Sequence, residues 1–250
     1  MSAENYFQAV DGLLQRIKGS QSENIGKAAQ LFADCIEKGG WVYLFGSGHS
    51  VIPVLDVYPR YGSFVGFRPL MDPRLMWFNV VGPGGAPELL WLERQEGYVR
   101  NFLRNWDFSS KDALVVYSHG GMNAAPIEAA LYAREHGARV VAVTSVANQE
   151  MNRPKHSSGK SLKDAADIVI DNCVPPEDSL VDVGQPEKVG AGSTFAVITI
   201  SMALVSETAN RLRREGYHLD TFVSPNVPGI GPDHNEQVFN TYRRRCYQPK

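Results

Sequence analysis

The sequence predicts an α/β fold, namely a three-layer αβα sandwich around a mainly parallel sheet of five strands, preceded by a pair of helices. Short apolar runs alternate with stretches of helical periodicity from residue 41 to about residue 213. Two of these runs lead into a helix through a turn rich in glycine and serine. Repeated strand–turn–helix units are typical of parallel sheets covered on both faces, and 250 residues with 43% hydrophobic content suffice to bury such a core.

Two amphipathic helices are predicted within residues 1–40, ahead of the first strand. Apolar residues recur at helical spacing in both helices, a Gly-Ser step at 19–20 interrupts the pattern, and Gly-Gly at 39–40 ends it. We expect this pair to pack on the core or in a subunit interface. Residues 41–215 then form the main domain, and residues 216–250 form a tail that folds over a site.

The remaining elements follow from the same periodicities. The apolar pattern predicts strands at 41–45, 63–68, 113–117, 139–143 and 168–170, with an edge strand at 180–183. Helices are predicted from the first turn to near Pro59 and at 86–106, 124–136, 161–166, 192–213 and 236–242, with loops at 71–85 and 145–160. The 192–213 helix is apolar on nearly all sides, which predicts a buried position.

Both glycine- and serine-rich turns have the composition of an anion-binding site. Their sequences are FGSGHS at 45–50 and YSHGGMN at 117–123. Free N–H groups at a helix N-terminus, the helix dipole and nearby hydroxyls attract anions. Ligands of parallel sheets bind beyond the carboxyl ends of the strands, so one site for a phosphate and a polyhydroxylated remainder is expected. The candidate binding residues are Gly46, Ser47, Gly48, Ser50, Ser118, His119, Gly120, Gly121 and Asn123.

Composition argues against several classes of partner. The net charge is −2 and the basic residues form no stripe, so no nucleic-acid partner is expected. No apolar run has the length of a membrane span and no secretory signal is visible, so we expect no membrane partner and a cytoplasmic protein. Cys35, Cys173 and Cys246 are odd in number and far apart, as is typical of reduced thiols.

A dinucleotide-binding fold is the first alternative. Val51 stands where the dinucleotide fingerprint has its third glycine, and Arg68 rather than an acidic residue ends the next strand. Because an arginine can hold a 2′-phosphate, a nicotinamide cofactor stays open as an alternative. No Gly-Lys-Ser/Thr follows either turn, which disfavours ATP chemistry. The main expectation is therefore that the protein uses no cofactor.

The segment around the second turn resembles the core of a sugar isomerase (SIS) domain. Residues 113–145 show the family's apolar strand, its turn and helix, and its Ala-x-x-x-Gly-Ala step, and residues 161–167 (SLKDAAD) resemble a later element. Nearly the whole chain resembles phosphosugar-binding SIS proteins related to phosphoheptose isomerase and N-acetylmuramic acid 6-phosphate etherase. This narrower resemblance rests on residues 92–98 (LERQEGY), 192–194 (GST) and 224–235 (SPNVPGIGPDHN). It implies a flavodoxin- or Rossmann-like fold and a sugar phosphate or sugar derivative as ligand.

Two positions in the second turn depart from the family pattern. Gly120 stands where the family has a serine, and Asn123 stands where it has a threonine. Asn123 remains a sound helix N-cap, whereas glycine at 120 removes one side-chain donor to a phosphate. Ser63, Arg60 or His119 can compensate for it, and an unphosphorylated sugar stays open as the ligand.

Glu96 is the first candidate for a catalytic residue. It interrupts the apolar stripe of the predicted 86–106 helix, and burial of a carboxylate raises its pKa into a range suited to proton transfer. The structural alternative is an ion pair with Arg100 one turn later. In the related etherases a glutamate of this helix acts as acid or base. The resemblance implies this role for Glu96, with Glu93 as the second candidate.

Three histidines are further candidates. His49 and His119 occupy equivalent places in the two turns. His234 lies beside Asn235 in the tail, and tails of related proteins fold over the site, often a neighbouring subunit's. These side chains can bind a sugar, transfer protons or, as the weakest alternative, ligate a metal together. No paired ligand spacing supports a metal, so none is expected.

Three residues outside the turns complete the candidate site. Asp56, on the helix after the first turn, either supplies a carboxylate or lies on the surface. Ser193 and Thr194 stand at the start of the apolar helix, where hydroxyls cap the helix, contact a ligand, or do both.

Together these features predict a protein that binds a sugar phosphate or sugar derivative and catalyses aldose–ketose isomerisation. A carboxylate such as Glu96 moves a proton between C1 and C2, and His234 or His49 assists ring opening or proton transfer. Two alternatives stay open: a sugar-phosphate lyase or etherase that uses the same carboxylate, and a non-catalytic sensor that acts through a protein partner. The apolar helix and the N-terminal pair also predict a homodimer or homotetramer.

Overall fold

Five parallel strands form the central sheet of the computed structural model, which describes residues 2–247. The strand order is β2-β1-β3-β4-β5, and every neighbouring pair is parallel. This confirms the predicted α/β class and the five-stranded sheet. The strands are β1 Val42–Gly46, β2 Phe67–Pro69, β3 Ala113–Ser118, β4 Arg139–Thr144 and β5 Ile168–Asp171.

Helices cover both faces of this sheet. In chain order they are α1 Ser2–Glu37, α2 Val51–Val57, α3 Ala86–Leu92, α4 Tyr98–Leu103, α5 Ala124–Glu135, α6 Val146–Met151, α7 Leu162–Ala165, α8 Ser193–Arg214 and α9 His234–Tyr247. One layer contains α1, α2 and α8, which pack on one another, and the other contains α4, α5 and α7. Within residues 2–247, no helix has the length and apolar character needed to cross a bilayer.

The N-terminal segment is one helix and not the predicted pair. α1 runs for 36 residues through the Gly-Ser step at 19–20. A single glycine in a helix costs about 1 kcal/mol relative to alanine. Burial of Ile17 and Gln21 on either side of the step, in a helix packed against α8 and β5, outweighs that cost.

Three other predictions of local structure are wrong. The predicted 86–106 helix is divided into α3 and α4 by a turn at residues 93–97, in which Gly97 adopts a left-handed φ of 88° just before α4. The predicted loop at 145–160 contains α6, whose N-cap hydroxyl on Ser145 accepts a hydrogen bond from the Asn148 N–H. The predicted edge strand at 180–183 lies outside the main sheet, in a hairpin of β6 Ser179–Val181 and β7 Val189–Ala191.

The two C-terminal helices also differ from expectation. α8 is buried along the stripe that faces α1 and α2, and residues such as Ile198 and Met202 on its other side are half-buried. α9 is longer than the predicted 236–242 segment, because it begins at His234 and continues to Tyr247.

The order in which the chain adds strands reverses at β1, and this reversal determines where the two glycine-rich turns lie. From β1 the chain passes outward to β2 and then returns to the other side of β1 to form β3. The two strands end at nearly the same level, since Gly46, the last residue of β1, lies opposite Tyr117, the residue before the end of β3. A ligand-binding crevice forms at the carboxyl ends of strands at such a switch point. The two glycine-rich turns follow these two strands and therefore meet there.

Candidate functional site

The first turn depends on glycine for a close backbone approach. β1 ends at Gly46, and residues 48–50 form a short 3-10 turn that continues into α2. A Cβ atom on Gly46 would lie 2.0 Å from the Ser50 carbonyl oxygen, which is far inside van der Waals contact. This tight turn directs the Ser47 side chain towards Glu93, which lies between the two turns.

The second turn has a matching construction. Gly121 adopts a φ of 63°, and a Cβ atom there would lie 2.3 Å from Nε2 of Gln149. The N–H of Gly121 donates to Oγ of Ser118 at 3.1 Å, which closes the turn. Asn123 then occupies the N-cap position of α5 with extended backbone.

The carboxylate of Glu93 joins the two turns. Glu93 follows the last residue of α3 and is 8% exposed. Its Oε2 accepts a hydrogen bond from Oγ of Ser47 at 2.8 Å, and its Oε1 accepts one from Nδ2 of Asn123 at 2.7 Å. Its backbone carbonyl accepts a third bond from the N–H of Ala125 at 2.9 Å. One buried acid thus contacts both strand ends, with each carboxylate oxygen held by one turn.

Burial raises the pKa of Glu93 above the usual glutamate range. Loss of solvation disfavours the ionised form and is the largest effect, while the Ser47 hydrogen bond and the charge of Arg94 oppose it. A carboxyl group with a raised pKa releases and accepts protons closer to neutral pH than an ordinary one. The position and the pKa shift of Glu93 both suit an acid–base catalyst.

A pocket of about 350 Å³ opens above this carboxylate. Besides Glu93 and residues of both turns, its walls include Trp77 and Leu89. The His49 ring lies 4.6 Å from the Trp77 ring in an edge-on contact. The part of the lining that the structure describes contains neither Lys nor Arg, so the donors it offers an anion are hydroxyl, imidazole and amide side chains and backbone N–H groups.

Glu96, the first candidate, lies outside this pocket. Its side chain is 40% exposed and accepts hydrogen bonds from the backbone N–H and the hydroxyl of Ser157. These bonds lower the pKa of Glu96. The alternative ion pair of Glu96 with Arg100 does not form, because Arg100 pairs with Glu135 instead. The catalytic role of Glu96 stays a prediction, and the structure places its side chain outside the lining of the pocket that contains Glu93. The break between α3 and α4 moves Glu96 off the stripe that a continuous helix would have given it.

The candidate histidines do not all lie at one place: His49 and His119 line the pocket, whereas His234 does not. His119 lines the pocket, but Asn172 Nδ2 lies 3.3 Å from its Nδ1 and the Pro176 carbonyl lies 3.3 Å from its Nε2, so both ring nitrogens are engaged. His234 Nε2 is 2.8 Å from the Thr221 carbonyl, away from the pocket lining. Within residues 2–247, no cluster of three or more His, Cys, Asp and Glu side chains is arranged to hold a metal.

Four other candidates lie away from this pocket, and three of them have hydrogen-bond or ion-pair partners elsewhere in the fold. Asn235 exchanges two hydrogen bonds with the backbone of Val223, and Asp56 pairs with Arg60 one turn later. The Ser193 hydroxyl donates to the Asp178 carboxylate at 2.7 Å, beside Thr194. Neither these side chains nor Thr194 belongs to the described pocket lining.

The arginine of the nicotinamide alternative faces away from the turns. Arg68 lines a separate cavity with Trp41 and Lys111, at the amino end of the strands. Within residues 2–247, the lining of the pocket at this switch point therefore contains no Arg or Lys of the kind that contacts a 2′-phosphate.

The apolar wall of the pocket was not predicted from the sequence. Trp77 belongs to the Pro- and Gly-rich stretch predicted as a loop, and Leu89 and Leu90 belong to the predicted 86–106 helix. The sequence signal that could have indicated this wall is the tryptophan in the predicted loop, because a large aromatic side chain in a loop usually packs against another surface.

We expect Glu93→Gln to stabilise the fold at neutral pH. An acid with a raised pKa binds its proton more tightly in the folded state, so the folded state loses relative stability as pH rises through the usual glutamate value of 4.5 towards the raised one. The gain in unfolding free energy should therefore shrink as pH falls to about 4. Urea unfolding at several pH values measures it. The exposed Glu96→Gln is the matched control and should show no gain; equal effects of the two substitutions would contradict the prediction.

The chain was compared with family models and with known proteins, and both comparisons give matches. A family model described as the SIS domain matches residues 5–145. A UPF0309 protein from Halalkalibacterium halodurans is 31% identical over 242 residues, covering 96% of this chain and 98% of that protein. Another, from Brucella ovis, is 36% identical over 243 residues, covering 97% of this chain and 96% of that protein.

Two solved structures have a similar fold. Phosphoheptose isomerase GmhA from Neisseria gonorrhoeae aligns with a TM-score of 0.54 at 18% identity, covering 83% of this chain and 97% of that one. The E. coli CFT073 protein c3406, solved in complex with a sugar phosphate, aligns with a TM-score of 0.53 at 14% identity, covering 84% of this chain and 89% of that one. At these identities the likeness shows the shared fold.

Proposed function

Because this chain belongs to the SIS domain family, we propose that it binds a sugar phosphate between the two turns and interconverts its aldose and ketose forms. The observation that carries the proposal is the buried Glu93 carboxylate, held by Ser47 of one turn and Asn123 of the other. Two structures of similar fold, a phosphoheptose isomerase and a protein in complex with a sugar phosphate, support this class of ligand.

The reaction needs one group that moves a proton between two adjacent carbons. In the aldose-to-ketose direction, Glu93 removes the proton from C2, the C2–H electron pair forms the C1=C2 double bond, and O1 takes up a proton to give the enediol. The protonated Glu93 then delivers its proton to C1, while O2 loses its proton and becomes the carbonyl oxygen. Each carboxylate oxygen accepts one hydrogen bond from the protein, which leaves a lone pair on each for the substrate.

His49 is the group we assign to the proton exchange between O1 and O2. Its ring is exposed at the pocket and is held edge-on against Trp77. His119 lines the same pocket, but Asn172 and Pro176 engage both of its ring nitrogens. A ring nitrogen available to substrate is required for proton transfer, and His49 meets this requirement better than His119.

A thermal-shift screen tests binding. We expect sugar phosphates of three to seven carbons to include ligands that raise the melting temperature by linkage, while their unphosphorylated parents at the same concentration do not. Equal shifts for phosphorylated and unphosphorylated sugars would assign the site to a neutral sugar. No shift from any member would count against a sugar site in this pocket.

Gly120→Ser is expected to tighten phosphate binding. A Cβ atom on Gly120 would meet no atom within 4 Å, so the pocket has room for the side chain. A hydroxyl there restores the donor that the family pattern has at this position, and one added hydrogen bond is worth about 1 kcal/mol, or roughly fivefold in affinity. Isothermal titration with the best ligand of the screen measures the change.

Gly120→Ala separates the hydroxyl from the added volume. It fills the same space without a donor, so we expect its affinity to match the unmodified protein within about twofold, since one methyl group changes little at an open surface. If alanine and serine at 120 change affinity equally, the phosphate does not lie at this turn.

The oligomeric state and the domain division remain predictions. A homodimer or homotetramer is supported by large apolar side chains that the isolated chain leaves exposed near the pocket, among them Phe78 at 71% and Trp91 at 63%. Light scattering at micromolar concentration measures the oligomeric state, and a monomer would refute the prediction.

A non-catalytic sensor is the second candidate function. Binding of a sugar phosphate without turnover would favour it.

A further inference from the structure

A second cavity, of about 400 Å³, lies at the opposite end of the sheet from the candidate site. Its walls include Trp41, which precedes β1, and Lys111, which lies just before β3. These residues stand at the amino ends of the strands, whereas the two turns stand at the carboxyl ends. The five residues of β1 alone span about 15 Å between them. The cavity is therefore a separate location and does not depend on the function proposed above.

Basic side chains dominate this cavity. Arg68, Lys111 and two further cations line it, whereas its acidic lining residues are Asp107 and Asp112. Asp112 is 2% exposed, and its two oxygens accept hydrogen bonds of 2.7 Å from the backbone N–H groups of Trp41 and Ser109 and from the Ser109 hydroxyl. The other two cations are Lys38 and Arg245.

Arg68 points to the kind of ligand that this cavity takes. Arg68 lies on strand β2, next to β1. Its guanidinium carbon lies 5.7 Å from the ring centroid of Trp41 and 5.9 Å from the ring centroid of Tyr43. Among residues 2–247 it has no hydrogen-bond acceptor and no ion-pair partner. The two rings hold the cation in place, but its five N–H donors still need oxygens. A half-buried guanidinium of this kind suits the paired oxygens of a phosphate.

Arg245 fixes the adjoining wall. Its guanidinium lies 4.6 Å from the Trp41 ring centroid and donates to the carbonyl oxygens of Gly40 and Ile36. This second cation is thus already oriented beside the same ring that Arg68 covers. Both arginines thus contact the ring of Trp41 and carry positive charge at the cavity. Because these contacts already orient the two side chains, neither has to rearrange when an anion binds.

We propose that this cavity is a second ligand site, specific for a phosphorylated anion. Arg68 supplies the bidentate contact, and Lys38, Lys111 and Arg245 supply the surrounding positive charge. The volume accommodates a pyrophosphate group or a phosphate ester with an organic remainder. Trp106, half-buried at the cavity wall, offers a ring surface to such a remainder.

Isothermal titration with pyrophosphate at low ionic strength tests the proposal. The Arg68→Met variant keeps the apolar stem over the rings and removes the donors, so we expect it to lose roughly tenfold or more in affinity. Arg104→Met, at an exposed arginine outside the cavity lining, is the matched control and should bind like the unmodified protein. Arg68→Lys keeps the positive charge but cannot make the bidentate contact of a guanidinium. Its affinity should therefore lie between that of Arg68→Met and that of the unmodified protein.

A further variant separates this site from the pocket at the turns. Ser47→Ala alters the carboxyl-end pocket and should leave the Arg68-dependent binding unchanged. Pyrophosphate that fails to bind, or that binds Arg68→Met as tightly as the unmodified protein, overturns the proposal. A parallel titration with ATP distinguishes the sources of the phosphate: tighter binding of ATP indicates an organic phosphate that uses Trp106, and equal binding indicates that the phosphoryl group suffices.

Discussion

Replacing Glu93 with glutamine is expected to lower kcat for sugar-phosphate isomerisation by about 10²- to 10⁴-fold, the contribution of a positioned acid–base group. Glutamine keeps the size of the side chain and can keep hydrogen bonds to Ser47 and Asn123, but it cannot carry the proton between C1 and C2. Ligand affinity should therefore stay within a few-fold. Steady-state kinetics together with isothermal titration separate the loss of turnover from any loss of binding.

Glu96→Gln is the control for this experiment. Glu96 lies three residues further along the chain, outside the pocket, with its carboxylate bound to Ser157. We expect near-normal kcat from this variant. If Glu96→Gln abolishes turnover and Glu93→Gln does not, the proton carrier has been assigned to the wrong glutamate.

Replacing Gly46 with alanine is expected to destabilise the fold by about 3 kcal/mol, because a methyl group at this position overpacks a closed turn. The clash is with the Ser50 carbonyl, 2.0 Å from the added Cβ atom, so a side-chain rotation does not relieve it. The turn must open, which separates Ser47 from Glu93. Urea unfolding measures the stability change, and the loss of ligand binding should accompany it.

Gly120→Ala serves as the matched control in the other turn. Its Cβ atom meets open space and its φ lies outside the left-handed region, so we expect a change within about 0.5 kcal/mol. Equal destabilisation by the two alanine substitutions would mean that the close approach at Gly46 does not constrain the turn.

The order of strands and helices was predictable because burial on both faces gives parallel strands a continuous apolar run. β3 and β4 are buried over nearly their whole length, and their sequences show it. The continuity of α1 was not predictable, since helical propensity at Gly19 opposes it and contacts with α8 and β5, distant in sequence, favour it. Local signals predict elements well where tertiary contacts agree with them, and the Gly-Ser step is a place where they disagree.

The meeting of the two turns was predictable from the sequence, whereas the carboxylate that lies between them was not. The turns at 46–50 and 118–123 indicated a ligand site through their composition, and the switch point brings them together. The choice between Glu93 and Glu96 depended on the helix break at residues 93–97, where α3 ends at Leu92 and Gly97 adopts a φ of 88° before α4 begins. The motif at residues 92–98 contains both glutamates, and the structure places only Glu93 in the lining of the pocket.

Isotope exchange in deuterated water tests the central assignment most directly. Proton transfer through a carboxylate allows solvent deuterium to reach the transferred position before the proton returns. We predict that the unmodified protein and Glu96→Gln convert a sugar phosphate between aldose and ketose with deuterium appearing at C1 or C2 in the NMR spectrum, and that Glu93→Gln does neither while still binding. Deuterium incorporation that persists in Glu93→Gln, or a bound sugar phosphate that the unmodified protein neither converts nor labels, would contradict the assignment.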